Sequence, residues 1–254
     1  MFSHEGPLRD ARHNTIVAGS LAAVGGFVNA GGFVLLGSFT SHVTGSVGRF
    51  GNDLARGQPS AAVLALLLIG FFFLGAFVSS IILESTIGAV ARGYGYALLV
   101  EGALLGAFVV ISGMSHTNHT HLLDAQAALL CMAMGMQNSM ITRLSGAVIR
   151  TTHVTGVVTD LGIEVARWYR WHRRKLTMLP VLLPGRTPAQ RPPLGRIALL
   201  VTIFAAFVAG GIAGAVLTLR SSRWALAIPT GAVLAAALVA FRSAAKEITA
   251  PPAT

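Results

Sequence analysis

The sequence predicts an all-α membrane protein of about six transmembrane helices, set out as two inverted three-helix repeats that each carry a re-entrant half-helix. Three observations predict it. Hydrophobic residues make up 54% of the chain and charged ones 11%, with a mean hydropathy of +0.69, whereas soluble domains are roughly 25% charged. Six apolar runs reach or approach the length of a membrane span. The tetrapeptide His-Val-Thr-Gly occurs twice, at 42–45 and at 153–156, with an odd number of runs between its copies.

A hydrocarbon core of about 30 Å takes roughly 20 apolar residues of helix. The expected spans are 15–37, 61–83, 94–114, 122–141, 197–219 and 224–241. All are rich in Ala, Leu, Val and Gly. Small residues recur at four-residue spacing, as at Gly102 with Gly106 and Gly210 with Gly214, which lets helix backbones approach closely. Glu101 falls inside the third run. An ionisable group at that depth marks an ion pathway by default, so it is expected to be an ion-coupling carboxylate, with structural pairing to an arginine as the alternative. Glu84 ends its run and can reach water. The fourth run is the most polar, with Asp124, Gln126, Gln137 and Asn138 on a broad stripe expected to face the protein interior. Cys131 lies in the same run, and a lone cysteine excludes a disulfide framework.

Charge fixes the direction of the spans. The formal net charge is +10, but ten of the 19 Lys and Arg lie between Arg143 and Arg196. That clustering fits a membrane-flanking loop and not a nucleic-acid surface. Within it, Trp168, Tyr169 and Trp171 interleave with Arg167, Arg170, Arg173, Arg174 and Lys175, the pattern of an interfacial helix lying on anionic lipid head groups. The rest of the basic loop, 167–196, holds five prolines, which argue against a packed unit and for a linker. With this loop cytoplasmic, both termini are cytoplasmic and the cations divide as 15 inside and 4 outside, as the positive-inside rule requires. The first fourteen residues are mixed in charge, and no cleaved signal is expected. The outer loop 115–121 holds His116, His119 and His121, with Asp124 the one acid nearby. It is expected to be an exposed polar loop, with no metal site and no cofactor anywhere in the chain.

Aligning 40–56 with 151–167 gives nine identities in 17 positions. Upstream, Gly26-Phe27-Val28-Asn29-Ala30 pairs with Gly135-Met136-Gln137-Asn138-Ser139. The chain is therefore read as one integral membrane domain, with repeat one at 14–114 and repeat two at 122–243. Such repeats occur in secondary transporters, where the site sits at the midplane between the halves. Ser41 and Thr152 are N-cap types, and the stretches after them are plausible but too polar to face lipid. Two half-helices entering from opposite sides would aim their N-termini at a shared ligand, favouring an anion. The alternative is a pair of juxtamembrane amphipathic helices capped by histidine. Arg49 and Asp160, equivalent positions of opposite sign, are expected to meet if the half-helices do.

The blocks GFVNAGGF, FTSHVTGSVGRFG and GMQNSMITRLSGAVIRTTHVTGVVTDLG resemble the YoaK family of bacterial integral membrane proteins, also called domain of unknown function 1275, over nearly the whole chain. The resemblance implies a six-helix protein of the bacterial inner membrane connected with transport. Family members usually carry Asp and Asn at the positions of Asn29 and Ser46.

The functional expectation is a secondary transporter, or permease, that moves a small solute, with anions favoured, by alternating access. Its expected ligand contacts are His42, Thr44, His153 and Thr155, with Gly45 and Gly156 allowing close backbone approach. Asn29, Gln137 and Asn138 are expected to orient the solute, and Glu101 to couple an ion. A non-transporting sensor or assembly partner is the alternative. An intramembrane enzyme is less favoured, because neither HExxH nor GxSxG occurs. Partners are then the bilayer, anionic head groups at 167–175, a small-molecule solute and, as an open option, a second copy in a homo-oligomer.

Overall fold

In a computed structural model, described for residues 11–86, 90–114, 120–144, 154–176 and 194–249, the chain is helical throughout. Its helices are α1 (Ala11–Leu36), α2 (Val43–Ala55), α3 (Pro59–Ser85), α4 (Val90–Met114), α5 (Thr120–Leu144), α6 (Val154–Leu176), α7 (Leu194–Ser221) and α8 (Ala227–Thr249). A short 3-10 turn, Ser222–Leu226, joins the last two. The N-terminal tail, the loop of His116 and His119, His153 and most of the Pro-rich loop lie outside the described residues.

Four stretches are long and apolar enough to cross a membrane: Thr15–Leu36, Pro59–Ser85, Val90–Gly113 and Leu194–Ala245, the last holding both α7 and α8. The expected fourth span, now α5, falls short of them in apolarity. Its position gives the reason. α5 packs against α1, α3 and α4, and Leu130, Met134, Met136, Gln137 and Met140 are all buried. Polar residues there face protein, and no lipid has to solvate them. By contrast α3 shows Val63, Leu66, Phe73, Phe77 and Ile81 on its outer side.

The bundle is locked by two reciprocal close approaches. A Cβ at Gly26 of α1 would collide with the Phe207 carbonyl of α7, and one at Gly210 of α7 with the Ala23 carbonyl of α1. The same exchange recurs between the other pair. A Cβ at Gly135 of α5 would meet the Phe72 carbonyl of α3, and one at Gly75 of α3 the Met132 carbonyl of α5. Gly214 seats against Phe27 in the same way, so the small-residue spacing on α7 is a packing device. Gly102 lies against Leu234 of α8. Gly26 and Gly135 are aligned positions of the two sequence repeats, and their partners Phe207 and Phe72 are thereby matched as well.

Turn chemistry places α2. Gly37 has φ +65 and donates its N–H to Phe33 O at 2.8 Å, an αL residue that stops α1. The chain then folds back along α1. Ser41 donates from both its backbone N (3.2 Å) and its Oγ (2.9 Å) to Asn29 Oδ1. Asn29 lies seven residues before the end of α1, so the tip of α2 sits about 10 Å back along that helix. Ser41 therefore does not cap α2. The cap position belongs to His42, which makes no side-chain cap bond. α2 ends at Ala55, Gly57 with φ +70 follows it, and Pro59 opens α3 at a position where its missing N–H is harmless.

α6 is a single helix from Val154 to Leu176. The expected half-helix and the expected interfacial basic helix are thus one continuous element. The Arg49–Asp160 pair does not form. Arg49 Nε binds Asp53 Oδ2 at 3.3 Å on its own helix, and Asp160 Oδ2 faces Arg196 Nη2 at 3.6 Å. An acid one turn on was the nearer partner. Asp53 and Glu164, aligned positions in the repeats, are the buried acids of their amphipathic helices, with exposures of 7% and 1%. Glu164 Oε1 accepts from Arg167 at 2.9 Å and lies 3.5 Å from Arg196 Nε.

Candidate functional site: a cavity between the helix tips

The fold-back of α2 and the start of α6 bring two helix tips to one cavity of about 750 Å³, within the range that holds metabolite-sized ligands. Val43 and Thr44 enter it from α2, and Val154 and Thr155 from α6. Asn29 and Asn138 line it from α1 and α5, and Phe72 and Phe207 from α3 and α7. Every one of these four pairs joins matched positions of the two halves.

Of the residues expected at the site, Asn29, His42, Thr44, Asn138 and Thr155 therefore share one cavity. The geometry of each differs. Asn29 is committed through Oδ1 to Ser41, and Asn138 donates from Nδ2 to Met134 O at 3.0 Å. His42 and Thr44 are exposed. Gly45 does not line the cavity; a Cβ there would collide with the His42 ring, so glycine makes room for the imidazole to lie over the first turn of α2. Gly156 also stays outside the lining, and His153 lies outside the described residues.

Gln137 is not in the cavity either. Fully buried, it donates from Nε2 to Glu101 Oε1 at 3.1 Å, tying α5 to α4. Glu101 is fully buried too, and its Oε2 and the Gln137 Oε1 have no partner among the described residues. The carboxyl's partner Gln137 is thus one residue from Asn138 along α5 but on another face, since neighbouring helical residues point about 100° apart.

Sequence reasoning missed an asymmetric wall. Ser80, Ser139, Thr142 and Arg143 line the cavity at one end. Ser80 Oγ and Ser139 Oγ share a hydrogen bond of 2.9 Å between α3 and α5. One turn further along both helices, Arg143 Nη2 donates to Glu84 Oε1 at 2.6 Å. The available signal was the i, i+4 spacing of Ser80 with Glu84 and of Ser139 with Arg143, which puts each pair on one helix face. Phe39 was also missed; its ring stacks on Phe33 at 4.3 Å and meets His42 edge-on at 6.4 Å.

The lining offers hydroxyls, amides, one imidazole and one guanidinium, with no carboxylate and no thiol among the described residues. No group of three or more His, Cys, Asp or Glu able to hold a metal occurs among the described residues.

Long apolar helices around a buried, more polar helix, with a solute-sized cavity lined by both polar and apolar side chains, define a helical membrane protein. The chain belongs to the family described as protein of unknown function (DUF1275), whose model matches residues 17–239. No curated protein and no solved structure matches it.

Proposed function

We propose that the protein is a secondary transporter that moves a small anionic solute by alternating access between two inverted repeats. The observation that carries this reading is the lining of the cavity by matched residues of the two halves: Asn29 with Asn138, Thr44 with Thr155 and Phe72 with Phe207. A site on the pseudo-axis keeps its contacts when one half rocks against the other, which is how repeat transporters alternate. The helix tips supply the polar side of such a site. α2 has no side-chain cap, so the N–H groups of its first turn remain donors for an anion.

In this reading α1, α3, α4, α5, α7 and α8 span the bacterial inner membrane, with both termini cytoplasmic, and α2 and α6 are re-entrant. Glu101 serves as the coupling carboxyl. Its Oε2 and the Gln137 Oε1 both lack a partner among the described residues, which leaves two acceptors and no donor, a deficit that one proton fills. Coupling would pass along α5 from Gln137 to Asn138. Transport is favoured over catalysis by the reversible contacts of the lining, with no nucleophile hydrogen-bonded to a base among its described residues. The exposed Arg167, Arg170, Trp168 and Tyr169 of α6 fit anionic head groups.

Flux in proteoliposomes tests the reading. Wild-type protein is expected to move the solute, and His42→Ala combined with His153→Ala to reduce flux strongly. Glu101→Gln keeps a partner for Gln137 but cannot take up a proton; it is expected to retain solute exchange and lose accumulation driven by a pH gradient. Unchanged flux in the double variant would remove the cavity from the pathway.

A further inference from the structure

The asymmetric wall of the cavity names a class of solute, an inference that rests on the transport reading. Arg143 closes α5 and reaches across to Glu84 at the end of α3. Arg143 lines the cavity and Glu84 does not. The Glu84 side chain is 63% exposed, against 32% for Arg143, so water can solvate the Glu84 carboxylate once another anion takes its place. An ion pair at that exposure holds its partners weakly. The guanidinium carries five N–H donors in a planar fork, and among the described residues the Glu84 carboxylate is its one acceptor. One turn deeper, the bonded Ser80 and Ser139 hydroxyls still hold a donor between them, since one shared bond uses only one of two O–H groups.

Beyond the hydroxyls, amides, imidazole and guanidinium, the rest of the lining is apolar. Phe39, Phe72 and Phe207 bring three rings to the cavity, and Val43 and Val154 fill the space between helix tips. A cationic solute would be stripped of water with no carboxylate among the described lining residues to meet it. A small inorganic anion would leave the rings in contact with water. We propose that the solute is a monocarboxylate with a flat apolar body, its carboxylate held by Arg143 in exchange for Glu84 and its body directed toward the apolar side of the cavity, where Phe72 and Phe207 lie. The Glu84–Arg143 pair is then the empty-state stand-in for the bound ligand.

Equilibrium dialysis of the full chain in detergent with radiolabelled benzoate tests this without requiring transport. Benzoate is expected to bind the wild type and to be displaced by unlabelled benzoate but not by benzylamine. Arg143→Gln is expected to weaken benzoate about tenfold or more, the loss of one charge-assisted pair, with partial recovery in Arg143→Lys. Glu84→Gln breaks the same ion pair yet is expected to tighten binding, because the internal competitor is gone; a mere folding defect would weaken both. Equal benzoate binding by wild type and Arg143→Gln, absence of binding to monodisperse wild type, or displacement by benzylamine overturns the proposal. Benzoate held through Arg143 but not moved across proteoliposomes would refute transport and leave the carboxylate site standing. Flux of a neutral or cationic solute that depends on His42 and not on Arg143 would do the reverse.

Discussion

Asn29 shows how much one side chain decides. Its Oδ1 accepts two hydrogen bonds from Ser41, and these hold the tip of α2 against α1 beside the cavity. Removing the acceptor leaves two part-buried donors unmet, at a cost of about 1–3 kcal/mol. Asn29→Ala is therefore expected to lower the thermal unfolding midpoint of the detergent-solubilised protein. Asn29→Asp keeps an acceptor at the same place and is expected to hold the midpoint near wild type. If both variants unfold alike, the Ser41 contact does not anchor the half-helix. The sequence could single out Asn29 as a polar residue in an apolar run, but its partner was illegible. Ser41 reads locally as a helix cap, and only the reversal at Gly37 turns it toward α1.

At the scale of elements, the close crossings of α1 with α7 and of α3 with α5 set the frame. Each depends on two glycines whose missing Cβ lets a carbonyl of the other helix approach. Gly26→Ala and Gly135→Ala must each push a helix away from its neighbour, and overpacking of this kind costs about 1–3 kcal/mol. The matched geometry predicts similar losses for the two variants, read from unfolding midpoints. Gly48 and Gly51 of α2 have open space where a Cβ would stand. Alanine there is expected to be neutral or stabilising, because it raises helix propensity. Small-residue spacing was visible in the sequence at Gly210 and Gly214. The pairing of helices was not, because spacing says that a helix has a close partner without saying which one. α5 makes the complementary point. Its polar stripe predicted an inward face, and Gln126, Gln137 and Asn138 are buried, while Asp124 is only partly so.

For the whole molecule, the proposed arrangement makes a topological prediction. In a Cys131→Ala background, single cysteines at Arg56 and Arg173 stand at the far ends of α2 and α6 from the cavity. A membrane-impermeant thiol reagent is expected to reach the first from outside the cell and the second from inside. Cysteines at Val43 and Val154, which line the cavity, are expected to lose labelling when a solute fills it. Labelling of Arg56→Cys and Arg173→Cys from one side would exclude the inverted arrangement.

The helical membrane class, the positions of the long apolar helices and the repeated sequence block followed from the sequence alone. Apolar run length is set by bilayer thickness, and a repeated polar tetrapeptide survives as letters whatever the fold does. The site's common cavity, the Glu101–Gln137 contact and the Arg143–Glu84 wall were decided by tertiary structure. Their partners lie 36 and 59 residues apart, and which faces meet depends on helix rotation and crossing. Those variables are fixed by packing between helices, and no local pattern of residues records them.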